Sequence, residues 1–332
     1  MITETIPSRI IETGKRQGNN QFAQDVLRGL SATKKNISSR YFYDEKGSRI
    51  FEEIMELPEY YLTNCEWEIL NTHKQDILNQ LNSQNFQLVD LGAGDAKKTK
   101  LLLEHFYNRD ASFSYVPIDI NRDVLEDIED SLNKEMPKLV TIPVLAEYFD
   151  ALKWIKETQL QKKLVLFLGS NVGNFTKKSA ASFLTEMHNV LNEGDLLLIG
   201  IDLKKDPYRI IHAYSDSKGV TSAFNINLLR RINTELGGNF ALDKWMHFAN
   251  YSPSSGAVKS YLVSCESQDV PINALKKTFH FEAFEAIHTE YSYKYTLNEI
   301  STMAVQCGFE QVEVYMDQKS DFSDSLWRVV KK

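Results

Sequence analysis

Cysteine is scarce in this chain. Among 332 residues there are three, Cys65, Cys265 and Cys307. They are far apart, odd in number and without metal-binding spacing, which argues against a disulfide framework or a zinc module and points to reduced, partly buried thiols. No apolar run approaches the roughly 20 residues of a membrane span. The first residues, Met1-Ile-Thr-Glu-Thr-Ile-Pro7, lack the basic-then-apolar pattern of a secretion signal. Basic clusters are also missing: Lys97-Lys98-Thr99-Lys100 and Lys204-Lys205 are too short for a nucleic-acid track, and the net charge is −7. Together these absences lead to the expectation of a cytoplasmic protein with no membrane or nucleic-acid partner. With 42% hydrophobic and 25% charged residues, the chain can bury one large core or two interlocked ones.

The pattern along the chain has a clear rhythm in its middle. Up to about Asn20 it is polar and reads as an extended arm; a short helix is predicted from Gln21 to Leu30. Asp44-Glu-Lys-Gly47 reads as a turn, followed by a helix from Ser48 that Pro58 stops. Thr63, with Glu66 three residues later, reads as a capping box opening another helix. From Phe86, strands are predicted at 86–91, 115–120, 139–144, 164–169 and 196–202. Helices fall between them, near 96–107, 122–134, 149–158 and 178–192, with Gly194 at a helix C-cap. This alternation implies an α/β fold with a doubly wound, mostly parallel sheet. After Asp202 helices are predicted at 208–215 and 222–236, then strands at 243–251, 258–265, 275–282 and 286–293. A capping box at Thr296 and Glu299 and two last strands, 311–316 and 325–330, close the chain. Five parallel strands finished by an antiparallel C-terminal hairpin form the class I Rossmann-like methyltransferase layout. The long insertion before the hairpin is paired with the N-terminus as a second, mixed α+β substrate domain. The expected division is 1–66 with 204–294 for the substrate, and 67–203 with 295–332 for the cofactor.

The first strand of this rhythm runs into Leu88-Val-Asp-Leu-Gly-Ala-Gly-Asp95. Gly92 and Gly94 give a nucleotide-like ligand close access to backbone at a helix start. A dinucleotide fingerprint wants a third glycine at position 97, which is lysine. A cofactor without phosphate, such as S-adenosylmethionine, has no need of it. Asp119 ends the next strand and suits a ribose diol. Glu147 and Tyr148 follow the third strand and suit the edge and face of adenine. The fourth strand ends in Phe167-Leu-Gly-Ser-Asn-Val-Gly-Asn-Phe175, where Asn174 offers both a donor and an acceptor.

The motifs resemble one family, the ergothioneine-type L-histidine Nα-methyltransferases. They are Phe42-Tyr-Asp44 with Gly47-Ser48, Leu57-Pro-Glu-Tyr-Tyr61 and Asp90-Leu-Gly-Ala-Gly94. Phe167-Leu-Gly-Ser170 with Gly173-Asn174, Ala213-Tyr214 with Gly219-Val-Thr221, Ala223-Phe-Asn225 and Thr289-Glu-Tyr-Ser292 complete the set. They run in order from about residue 40 almost to the C-terminus. The resemblance implies three methyl transfers from S-adenosylmethionine to the α-amine of histidine, giving hercynine, with no metal. It implies Gly92, Lys98, Asp119, Glu147 and Tyr148 as cofactor positions, although the family usually has Asp-Phe at the last pair. Tyr43, Tyr60, Asn174, Tyr214, Glu290 and Ser292 are implied on the substrate side, with Tyr43 orienting the amine. Glu290 and Ser292, two apart on a predicted strand, share a face and can take the two imidazole nitrogens. The pattern alone favours a plain amphipathic strand with Tyr291, Tyr293 and Tyr295 packed inside and the polar residues in water; only the resemblance moves Glu290 and Ser292 into a pocket. The family often has a methionine where this chain carries Ser260, which bears on acceptor preference. Another aromatic amino acid, a ring nitrogen of histidine, or a non-catalytic ligand-binding role remain the competing readings. A monomer is expected.

Overall fold

The computed structural model describes residues 10–13, 19–82, 85–157 and 161–331. The strands in chain order are β1 (Ile11–Glu12), β2 (Phe86–Leu91), β3 (Phe113–Asp119), β4 (Val140–Thr141), β5 (Val144–Leu145), β6 (Lys162–Phe167) and β7 (Leu196–Asp202). Then come β8 (Trp245–Ser252), β9 (Ala257–Ser264), β10 (Gln268–Ile272), β11 (Lys277–Phe281), β12 (Ala286–Tyr293), β13 (Phe309–Met316) and β14 (Phe322–Val329). The helices are α1 (Asn19–Leu30), α2 (Glu45–Met55), α3 (Tyr61–Asn79), α4 (Lys97–Asn108) and α5 (Arg122–Glu135). They continue with α6 (Tyr148–Glu157), α7 (Lys177–Val190), α8 (Pro207–His212), α9 (Val220–Leu236) and α10 (Leu297–Gln306).

One large sheet has the order β1-β5-β3-β2-β6-β7-β14-β13, with β4 also on β3. Leaving out the short β1 and β4, the chain's strands stand third, second, first, fourth, fifth, seventh and sixth. β14 runs antiparallel to both neighbours, β7 and β13. This is the α/β, doubly wound, Rossmann-like methyltransferase sheet with an antiparallel closing hairpin. Its strands are apolar on both faces because helices cover both; every residue of β7 is buried. Leu88, Leu164 and Leu166 pack with Ile69 of α3, Phe106 of α4 and Ile128 of α5. Val89, Val165 and Phe167 face the opposite way, against Leu152 of α6, Phe183 of α7 and Ile300 of α10. The order reverses direction between β2 and β6, so the ligand crevice lies beyond their carboxyl ends.

A separate apolar core gathers Phe22 and Val26 of α1, Ile54 of α2, Phe224 and Leu228 of α9, and Leu262 and Ile287. It lies against the antiparallel sheet β12-β9-β8 and the β10–β11 pair.

Several local expectations need correction. The predicted third strand is two short pieces, because Pro143 interrupts 140–145 and cannot donate to the ladder. Asp44 is an N-cap rather than a turn residue, accepting the Gly47 N–H at 2.7 Å, so α2 starts at Glu45. The Thr63–Glu66 capping box is absent, since α3 already starts at Tyr61 and Glu66 is buried within it. Gly194 belongs to the turn before β7, donating its N–H to Val329, while α7 ends at Val190. The 243–251 and 275–282 runs resolve into Trp245–Ser252 and Lys277–Phe281, and β10 was not anticipated. The Thr296–Glu299 capping box is present as predicted. Of the expected N-terminal arm, 1–9 and 14–18 lie outside the described residues, and Ile11–Glu12 joins the sheet edge beside β5. No helix among the described residues is long and apolar enough to cross a membrane.

Candidate active site at the crevice

A pocket opens where the turn after β6 meets β12 and α9. Tyr43, Tyr60, Asn174, Tyr214, Glu290 and Ser292, spread over 250 positions of sequence, all line it. Gly173 lets the turn approach β12: a Cβ there would stand 2.8 Å from the Tyr293 carbonyl oxygen. A register shift between His288 and Glu290 interrupts the β12–β9 ladder and aims Glu290 and Ser292 inward. Tyr291 and Tyr293 face the other way, stacked with ring centroids 5.6 Å apart. The amphipathic reading with tyrosines inside is therefore reversed along this stretch, although Tyr295 is buried.

Burial in the pocket wall pushes the Glu290 carboxyl up to about 7, while the Lys294 ammonium pulls against it. Burial also holds the Tyr43 and Tyr60 hydroxyls well above the ordinary tyrosine value, with nearby Glu290 adding to the effect. Both remain phenols at neutral pH. Tyr43 packs edge-on against Phe51 and Phe224 at 5.6 and 5.7 Å. Ser260 is fully buried as the cross-strand partner of Glu290 and is not among the lining residues. It lies beside Glu290 and does not form the pocket surface.

The cofactor candidates sit next door, at the carboxyl ends of β2, β3 and β5. Gly92 and Gly94 have φ of +78° and +53°, values that an L side chain adopts at a cost. The space where a Gly94 Cβ would be is open, with no heavy atom within 4 Å. Asp119 accepts the Gly94 N–H at 3.0 Å and the Asn121 N–H at 2.9 Å, which fixes its carboxylate beside the loop. Burial raises its pKa against those two bonds. The Tyr148 hydroxyl would lie 2.9 Å from a Cβ on Gly92, and its ring packs 5.3 Å from Phe167. Glu147 is half-buried and lies 3.6 Å from Arg40. Behind the loop, buried Asp90 accepts from Thr99 and Tyr115 at 2.7 and 3.0 Å.

A family model described as "Histidine-specific methyltransferase, SAM-dependent" matches residues 22–329. The chain belongs to this family. Within this SAM-dependent methyltransferase family, the chain is 33% identical over 313 residues to a histidine N-alpha-methyltransferase of Mycobacterium tuberculosis (strain CDC 1551 / Oshkosh), covering 94% of this chain and 96% of that one. It is 34% identical over 303 residues to the Mycolicibacterium smegmatis (strain ATCC 700084 / mc(2)155) protein of the same name, covering 91% and 93%. Ergothioneine biosynthesis protein 1 of Neurospora crassa is 31% identical over 284 residues, covering 84% of this chain and 31% of that longer protein.

Two buried polar groups of this methyltransferase escaped the sequence reading. Glu66 accepts the Gly169 N–H at 2.7 Å and pairs with Lys98, so it ties the cofactor loop's helix to the turn after β6. It fills the place a Cβ on Gly200 would take, which is why β7 carries glycine there. The Thr-x-x-Glu spacing concealed it as a helix cap. The second group centres on Asp202, wholly buried at the end of β7. It accepts from Tyr61 at 2.9 Å and pairs with Lys205 and, at 2.7 Å, with Lys294. Burial works to raise the Asp202 carboxyl, but the two ammonium groups outweigh it and its pKa is lowered. The signal for this cluster was an acid ending an otherwise apolar strand at the sheet's carboxyl edge, the same signal that found Asp119.

Proposed function

We propose that the protein transfers methyl groups from S-adenosylmethionine to the α-amine of L-histidine, three in succession, giving the betaine hercynine. The observation that carries this is Glu290 and Ser292 side by side in the pocket wall, within a cup of aromatic side chains. An imidazole gives the carboxylate an N–H and the hydroxyl a ring nitrogen. A phenyl ring would leave a desolvated carboxylate unpaired, at a cost of several kcal/mol or a captured proton (about 2–7 kcal/mol for even a neutral polar group).

The crevice suits the cofactor. The open space over Gly94 accepts a nucleoside against bare backbone, and the fixed Asp119 carboxylate offers acceptors to two ribose hydroxyls. Glu147 and Tyr148 would take the edge and face of the adenine, Gly92 making room for the Tyr148 hydroxyl, and Lys98, whose ammonium pairs with Glu66, would keep hydrogens to offer a carboxylate. When bound, S-adenosylmethionine supplies a methyl group on a sulfonium. The chain's own contribution is placement in line with that group, the main requirement of such a displacement. Asn174 holds the carboxylate of the amino-acid end, and Tyr214 accepts an amine N–H through the oxygen lone pair that its bonds to Lys294 and Ser292 leave free. Tyr43, kept as a phenol, accepts an amine N–H through its oxygen and leaves the nitrogen lone pair free; the amine proton passes to water. Tyr60 closes the pocket, and Ser260 acts on the acceptor through Glu290.

The separate core built by α1, α2, α9 and strands β8–β12 would serve as the substrate unit, in the expected division of 1–66 and 204–294 against 67–203 and 295–332, although Ile11–Glu12 and the start of α3 pack with the methyltransferase sheet. Calorimetric titration of amino acids in the presence of S-adenosylhomocysteine tests the acceptor. Histidine should bind at least tenfold more tightly than phenylalanine or tryptophan, and equal binding of the three would remove imidazole recognition.

A further inference from the structure

Lys294 is wholly buried beside the pocket yet is not one of its walls. Its ammonium donates to Tyr214 at 2.7 Å and to Ser292 at 2.9 Å, and pairs with Asp202 at 2.7 Å. An ammonium has three hydrogens and no acceptor, so all of its capacity is used and its direction is fixed. Tyr214 and Ser292 also touch each other at 2.8 Å. Each hydroxyl owns one hydrogen and two lone pairs. Both give a lone pair to Lys294, so one of them must supply the hydrogen between them. The phenol is the stronger acid, and its oxygen lone pair is partly drawn into the ring, so Tyr214 donates to Ser292. Ser292 thereby accepts twice, has no lone pair left, and keeps only its O–H to offer the pocket.

We propose that Lys294 is a specificity-setting positioning residue: it turns Ser292 into a donor, so the site selects a ring bearing an unprotonated nitrogen opposite Ser292. This rests on the reading that Glu290 and Ser292 receive the substrate's ring. Glu290, an acceptor, faces the ring N–H; Ser292, a donor, faces the ring lone pair. The two contacts together specify a neutral imidazole. With Lys294 removed, Ser292 regains a free lone pair and can rotate to accept, and the discrimination is lost.

The test compares L-histidine with the two β-pyrrolyl-L-alanine isomers, which keep a ring N–H and replace the unprotonated nitrogen by C–H. Binding is measured calorimetrically with S-adenosylhomocysteine present, in the wild type, in Lys294→Met, and in Lys294→Met with Asp202→Asn. The double variant removes both charges of this pair, so a fold that cannot tolerate Asp202 with only Lys205 as counter-charge does not block the measurement. The wild type should prefer histidine to the better pyrrole by about tenfold or more, and the variants should narrow that ratio to within about threefold. A ratio preserved in a folded variant, with both ligands weakened equally, would reduce Lys294 to a structural support and overturn the proposal. Absence of histidine binding by the wild type would instead overturn the underlying reading of the acceptor.

Discussion

Glu290 shows what the site costs at the scale of one residue. Its carboxyl sits at about 7 in the folded protein, against about 4.3 for an unfolded glutamate. A raised folded value means the folded state holds the proton more tightly, so this residue's contribution is most favourable below pH 4 and is lost as pH rises through 7. Glu290→Gln should therefore stabilise the protein at pH 8, by up to about 3 kcal/mol, with the gain vanishing near pH 4. Denaturant titrations at the two pH values check this, and a variant no more stable at pH 8 would show that Glu290 is better solvated than its surroundings imply. The same substitution should weaken histidine binding by roughly tenfold or more, as expected for loss of a charged hydrogen bond. Six dispersed residues, Tyr43, Tyr60, Asn174, Tyr214, Glu290 and Ser292, were legible as a set because the motif resemblance grouped them. Local pattern would have sent Glu290 and Ser292 to solvent. Lys294 and Glu66 stayed hidden because a buried charge is recognised by its partner, and the charges they pair with, Asp202 and Lys98, lie 92 and 32 positions away.

At the scale of elements, the site depends on how closely the turn after β6 rests on β12. Gly173→Ala would set a Cβ 2.8 Å from the Tyr293 carbonyl, part of a backbone that cannot move without shifting Ser292. Overpacking of this kind costs about 1–3 kcal/mol. The expected outcome is a lower denaturation midpoint together with a raised KM for histidine and a nearly unchanged KM for S-adenosylmethionine. Wild-type values for both substrates would show that the close approach is not needed. The parallel strands were readable from their continuous apolar runs, and the cap of α10 from Thr296 and Glu299. The third strand was misjudged because Pro143 splits an apolar stretch, and α3 because a Thr-x-x-Glu spacing inside a helix looks the same as one at its start. The aim of β12 depends on a register shift opposite another strand, which its own sequence does not encode locally.

For the whole molecule, the proposed reading puts cofactor and acceptor together in the crevice where the sheet order reverses. The alternation of strands and helices indicated a doubly wound sheet. The antiparallel C-terminal hairpin was expected from the class I methyltransferase layout, whereas no local feature of the sequence marks the place of β14 between β7 and β13. Ligand that binds only the folded state stabilises it by mass action, about 2.7 kcal/mol at a hundredfold excess over Kd. S-adenosylhomocysteine should accordingly raise the unfolding temperature of the wild type. Asp119→Ala should abolish that rise at the same concentration; an undiminished rise would move the ribose contact elsewhere. The most direct measurement on the central claim is fragmentation mass spectrometry of the product formed from L-histidine and S-adenosylmethionine. The result expected is a trimethylated α-amine with an unmodified ring. A methyl on the imidazole, or an unchanged histidine beside a methylated aromatic amino acid, would contradict it.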